Sequence, residues 1–163
     1  MNHDIRRILC CIGLKNDSDP VLEQAVRLAV ATRSELDVLH AVKSLSDDVA
    51  NTLRESIPDR RVLESLSERR RGDANKKLEE QIKAFWDTHP DLYKSFGDKK
   101  LKSYVIEGYP ASAITHFAQQ KGSNMIVLAA NKRRISATYA GKITKGVIKR
   151  ARVPVVVVPS VND

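Results

Sequence analysis

The run Ile8-Leu9-Cys10-Cys11-Ile12 constrains this chain more than any other feature. It is continuous, too short for a helix and closed by Gly13, which is the pattern of a strand buried on both faces. Strands of that kind belong to parallel sheets with helices on either side. The following residues keep the matching rhythm. Asp17-Ser18-Asp19-Pro20 offers capping side chains and a proline preset for a first helical turn. Val21, Leu22, Ala25, Val26, Leu28 and Ala29 then recur at helical spacing. Leu36–Val42 reads as a second strand, so the chain opens with a β-α-β unit.

Residues 43–100 break the alternation. Helical patterns are predicted at about 46–56 and 60–88, separated by Pro58. The second carries Val62, Leu63, Leu66, Leu78, Ile82, Phe85 and Trp86 along a charged segment, and Gly72 within it predicts a weak point or kink. Asp87–Lys100 reads as a polar stretch ending in a basic turn. From residue 101 the rhythm resumes. Ser103–Ile106 is a third strand, Pro110 starts a helix reaching about Gln120, and Gly122 caps it. Met125–Ala129 is a fourth strand, a polar loop runs to Ala140, Gly141 opens a last helix, and Val153–Val158 is a fifth strand. There is no internal repeat, and 163 residues suffice for one domain, 1–163, with a substantial core.

No apolar run approaches the roughly 20 residues that cross a bilayer, and the N-terminus lacks the long hydrophobic region of a secretory signal. A cytoplasmic location is the expectation. The only cysteines, Cys10 and Cys11, are adjacent on a strand and point to opposite faces, so a disulfide between them would distort it. They read as small core hydrophobes in a reducing compartment. The net charge of +8 is concentrated: residues 108–163 hold nine lysines and arginines against Asp163, and so carry the whole excess. An anionic partner on this third is the implication.

Three segments together resemble the universal stress protein family: Arg7–Ile12 with its helix and Leu36–Val42; Glu107-Gly108-Tyr109-Pro110-Ala111-Ser112-Ala113-Ile114; and Met125–Ala129, a loop, Gly141, then Val147–Val158. The resemblance spans nearly the whole chain, with 43–100 as a lengthened second crossover. It implies a single doubly wound α/β domain of the adenine nucleotide alpha hydrolase-like class. Five parallel strands in the order 3-2-1-4-5 would form an open sheet with helices on both faces. It also implies a homodimer joined through the last strands, Val155–Val158. An unpaired all-valine edge is an aggregation hazard, and each buried valine contributes about 1.5–3 kcal/mol.

Many members of the family bind ATP through Gly-x-x-Gly after strand four and a Gly-Ser or Gly-Thr pair opening the last helix. Glycines let backbone amides approach phosphates, and the helix N-terminus adds partial positive charge. In this chain the matching positions are Ala129, Lys132 and Gly141-Lys142, and the family's aspartate after strand one is Gly13. The loop is degenerate. The expected frame is Ile12, Gly13, Ala41, Leu128, Ala129, Lys132, Gly141, Lys142 and Ile143. Lys132, Arg133, Arg134 and Lys142 supply cations for ATP, AMP or another anionic ligand, each charge-assisted bond contributing about 1.5–3 kcal/mol.

The function expected is that of a non-enzymatic stress-response protein acting by ligand sensing or partner contact. One alternative is an adenine-nucleotide binder using Lys132 and Lys142 at the phosphates. A second is a nucleic-acid or anionic-surface binder using the basic C-terminal third. Tyr139 is the only aromatic near those bases, which disfavours nucleic acid. Gly141-Lys142-Ile143-Thr144 is not a P-loop, because Ser136 stands where its upstream glycine is required. His3, His40, His89 and His116 have no metal-ligand spacing. His40 reads as a satisfied structural imidazole. No nucleophile stands out and no general base can be named, although the resemblance leaves weak ATP hydrolysis open.

Overall fold

A computed structural model describes residues 4–14, 18–43, 60–97, 101–130 and 141–159. In chain order the elements are β1 (Arg7–Cys11), α1 (Asp19–Thr32), β2 (Glu35–Val42), α2 (Arg60–Thr88), α3 (Pro90–Phe96), β3 (Leu101–Glu107), α4 (Pro110–Lys121), β4 (Met125–Ala129), α5 (Lys142–Arg150) and β5 (Val155–Val158). The strands form one parallel sheet in the order β3-β2-β1-β4-β5.

β1 is central because nothing polar interrupts it: Ile8, Leu9 and Cys10 are wholly buried. Its alternation sends side chains to two separate cores. Ile8, Cys10 and Ile12 pack with α1, α2 and α3 through Val26, Leu78, Phe85 and Phe96. Leu9 and Cys11 pack with α4 and α5 through Ile114, Phe117 and Val147. The start of β1 is held by Asn124, whose Oδ1 accepts the backbone N–H groups of Arg6 and Arg7 at 2.8 and 2.9 Å. Gly122 ends α4 at φ 69, a left-handed cap that costs glycine little.

Several expectations change in detail. α2 runs unbroken through Gly72, which is exposed and meets nothing within 4 Å at its missing Cβ. One glycine costs a helix about 1 kcal/mol, too little to interrupt a segment anchored by Ala74, Leu78, Ile82 and Phe85. The stretch expected to be merely polar after Asp87 contains α3, begun by Pro90 and anchored by buried Phe96. Ser18 precedes α1 but makes no capping bond, and its hydroxyl donates to the Gly13 carbonyl at 2.7 Å. β5 begins at Val155, after Pro154, whose carbonyl accepts the Ile126 N–H. The helix expected at 46–56 and the loop 131–140 lie outside the described residues.

Candidate functional site

In a doubly wound sheet, ligands bind beyond the carboxyl ends of the strands, at the point where the strand order reverses. That point lies between β1 and β4, since β1 leads outward to β2 and β4 to β5. The register Cys10↔Val127 brings the residues after β1, Ile12 and Gly13, out at the level of Ala129 and Ala130. Thr144 then ties the first turn of α5 to the same place, its Oγ1 donating to the Ala129 carbonyl at 2.8 Å. Thr144 is only 4% exposed, so this bond is shielded from water. Ala129, Gly141 and Lys142 are thereby gathered at one edge.

The β1 side of this frame is closed by polar contacts. The Gly13 carbonyl accepts the Ser18 hydroxyl and, at 3.4 Å, the Gln81 amide from α2. His40 Nδ1 lies 2.8 Å from the Ile12 carbonyl, which gives this imidazole a structural partner. Gly13 is exposed, and a Cβ built on it would meet nothing within 4 Å, so the space beside it is open.

Not every expected residue contributes a side chain. Ile12 is buried in the core beneath α1, and Leu128 in the core beneath α4 and α5. Ala41 is half-buried on β2 and packs on the α4–α5 side. Lys142 and Ile143 are exposed on the first turn of α5. Lys132, with Arg133 and Arg134, lies outside the described residues. Gln81 was not among the residues singled out from sequence. Its only signal was membership of the long second crossover, and nothing local indicated that α2 would reach Gly13. Arg70 is a milder case: it lies exposed on α2, and its guanidinium donates to the Lys43 carbonyl at 3.4 Å.

The end of β4 has a backbone that a glycine loop would not need. Ala129 is still a strand residue, and the only positive φ among described non-glycine residues is at Arg33. The Ala130 N–H donates to the Val158 carbonyl at 2.9 Å. That amide is committed to the sheet and cannot also face a phosphate. The amino end of α5 retains the features that suit an anion, namely a helix terminus opened by Gly141 and bearing Lys142. A phosphate therefore fits the α5 end of this frame, and the Ala130 amide is not among the donors it could use.

Two other groups bear on chemistry. Cys10 and Cys11 are free and buried, and burial raises both thiols far above the range of a reactive thiolate. Among the described residues, no three His, Cys, Asp or Glu side chains gather as metal ligands, and no helix is long and apolar enough to cross a membrane.

A five-stranded parallel sheet in this order, with a crevice between β1 and β4, is a doubly wound α/β fold. The family model described as "Universal stress protein family" matches residues 4–159. The chain belongs to the universal stress protein family. Among solved structures it is similar to the universal stress protein UspA of Lactobacillus plantarum, at 18% identity and a TM-score of 0.64, covering 96% of this chain and 99% of that one. It is also similar to a universal stress protein solved in complex with cAMP, at 16% identity and a TM-score of 0.59, covering 96% and 99%. A third is the Archaeoglobus fulgidus universal stress protein in complex with dAMP, at 16% identity and a TM-score of 0.53, covering 95% and 98%. At such identities the likeness is one of fold. No curated protein sequence matches the chain.

Proposed function

We propose that this protein is a non-enzymatic, homodimeric stress-response protein of the cytoplasm that acts by ligand sensing or partner contact, with a phosphate loop no longer built on glycine amides. The observation that carries this reading is the Ala130 N–H at the end of β4, which donates to the Val158 carbonyl in the sheet and so is not available to a phosphate. Residues 1–163 read as one domain whose lengthened crossover, 43–100, sends Gln81 to the crevice. The contact of His40 Nδ1 with the Ile12 carbonyl supports a structural role for this imidazole. Two free buried thiols favour a reducing compartment.

The dimer would form through β5. Val155, Val156 and Val157 are half-buried, and Val157 belongs to neither buried cluster. Pairing with a second β5 would cover them and satisfy the outer backbone groups of the strand. Sedimentation at micromolar concentration tests this: a dimer supports it, and a monomer rejects it.

The bond between Thr144 and Ala129 favours a second reading, an adenine nucleotide held at the amino end of α5 with Lys142 and Lys132 at its phosphates. Fold relatives in complex with cAMP and dAMP add weight to it. Calorimetric titration with ATP, AMP and cAMP at about 20 and 150 mM salt separates the two. Micromolar affinity that survives the higher salt and disappears in Lys142→Ala establishes the nucleotide reading, and no heat of binding establishes the first. Affinity for any polyanion that falls steeply with salt would instead mark the basic C-terminal third as a nucleic-acid or anionic-surface binder.

A further inference from the structure

We infer that the groove between α2, α3 and the start of β3 binds a small organic cation, an amine or guanidinium carried on an apolar chain. The groove has a volume of about 860 Å³, within the range of small-molecule sites. It opens beside Leu101 and Ser103, at the amino end of the sheet, so it is independent of the crevice beyond the carboxyl ends. Every element that builds it except β3 comes from the lengthened crossover.

Its lining selects for a cation in two ways. The first is aromatic. Trp86, Tyr93 and Phe96 line it, with Trp86 5.2 Å from Tyr93 at 71° and 5.7 Å from Phe96 at 38° between ring planes. Tyr93 is 59% exposed, which leaves ring area open to a ligand. Ring faces attract ammonium and guanidinium groups. The second is charge. In a chain of net charge +8, this groove is lined by two acids, Glu79 and Asp87, and one base, Lys83. Ile82 and Leu101 offer apolar surface for the attached chain.

Trp86 is the only tryptophan, so its emission reports on the groove directly. The full chain is titrated with spermidine and with agmatine at constant ionic strength, alongside neutral 1,4-butanediol and magnesium chloride. The expected result is a saturable emission change with both amines and none with the diol or magnesium. Asp87→Asn and Tyr93→Leu, both at exposed positions, should each weaken binding about two- to fivefold while leaving the circular dichroism unchanged. No saturable change, an equal response to the diol or to magnesium, or undiminished affinity in both variants would overturn the inference. None of these outcomes depends on nucleotide binding or on dimer formation.

Discussion

β3 and β5 are both edge strands, both are largely half-buried, and both pair with a single neighbour, yet their sequences differ in kind. β3 reads Leu-Lys-Ser-Tyr-Val-Ile-Glu, with Lys102 near one end and Glu107 at the other. Charges so placed discourage a further strand from adding. β5 is Val-Val-Val-Val and carries no such guard. The contrast teaches that half-exposure alone does not mark an interface. β3 is finished as a boundary, whereas β5 has the composition of an interior strand that lacks its second neighbour.

The largest expected effect comes from reversing that character at β5. Val157→Lys would place a charge twice over in the proposed two-fold interface, and each valine contributes about 1.5–3 kcal/mol when buried. The dimer constant should weaken by about a hundredfold or more, read by sedimentation. Lys102→Val, the matching change on β3, should leave the oligomeric state unaltered. If it is the β3 variant that associates further while Val157→Lys stays dimeric, the contrast between the edges is broken.

Next in size is the seat of α5, which leads into β5. A Cβ on Gly146 would stand 2.7 Å from the Cβ of Ala111 on α4, a separation no real pair adopts. Gly146→Leu should therefore destabilise the fold by about 2–3 kcal/mol through overpacking, measured by urea unfolding. Thr144→Ala removes the tie between α5 and β4 and should cost about 1 kcal/mol. It should also weaken whatever ligand binds at the amino end of α5.

The smallest effect lies on the β3 side of the sheet. Asp37, on β2, is 1% exposed, and its Oδ2 has no hydrogen-bond partner among the described residues, with Arg7 Nε 3.7 Å away. Burial raises its carboxyl above the ordinary 3.8, against the pull of Arg7 and Lys121. The folded state therefore holds this proton more tightly than the unfolded chain does. The resulting stability is fully present below pH 3.8 and is lost as pH rises through the raised value. Glu35, lowered by its bond to Arg7, contributes with the opposite sign. Asp37→Asn should remove the first contribution alone, so that unfolding free energy between pH 3.8 and neutrality falls less steeply than in the parent chain.

The sheet was legible because its signals are local. Continuous apolar runs at Ile8–Ile12 and Met125–Ala129, Pro110 at the start of α4 and Gly122 at its end each identify an element without help from distant residues. The carboxyl-edge frame was legible only as positions in a family pattern, and the structure sorts those positions. Thr144 and Ala129 meet, while Ile12 and Leu128 turn into the cores. The contact of Gln81 with Gly13 spans 68 residues, and no periodicity or capping rule encodes such a separation. α3 was missed for a related reason: Leu92 and Phe96 are too few to make a pattern, and they become an apolar face only once Trp86 is beside Phe96.

The most direct test concerns the end of β4, where the Ala130 amide belongs to the sheet. The parent protein and Lys142→Ala are each titrated with ATP by calorimetry at about 150 mM salt, after their oligomeric state and thermal unfolding have been matched. With no glycine loop to cradle phosphates, the expected result is an absence of micromolar binding in both. Micromolar ATP affinity in the parent that is retained in Lys142→Ala would mean that backbone donors after Ala129 hold the phosphates, and would contradict the reading.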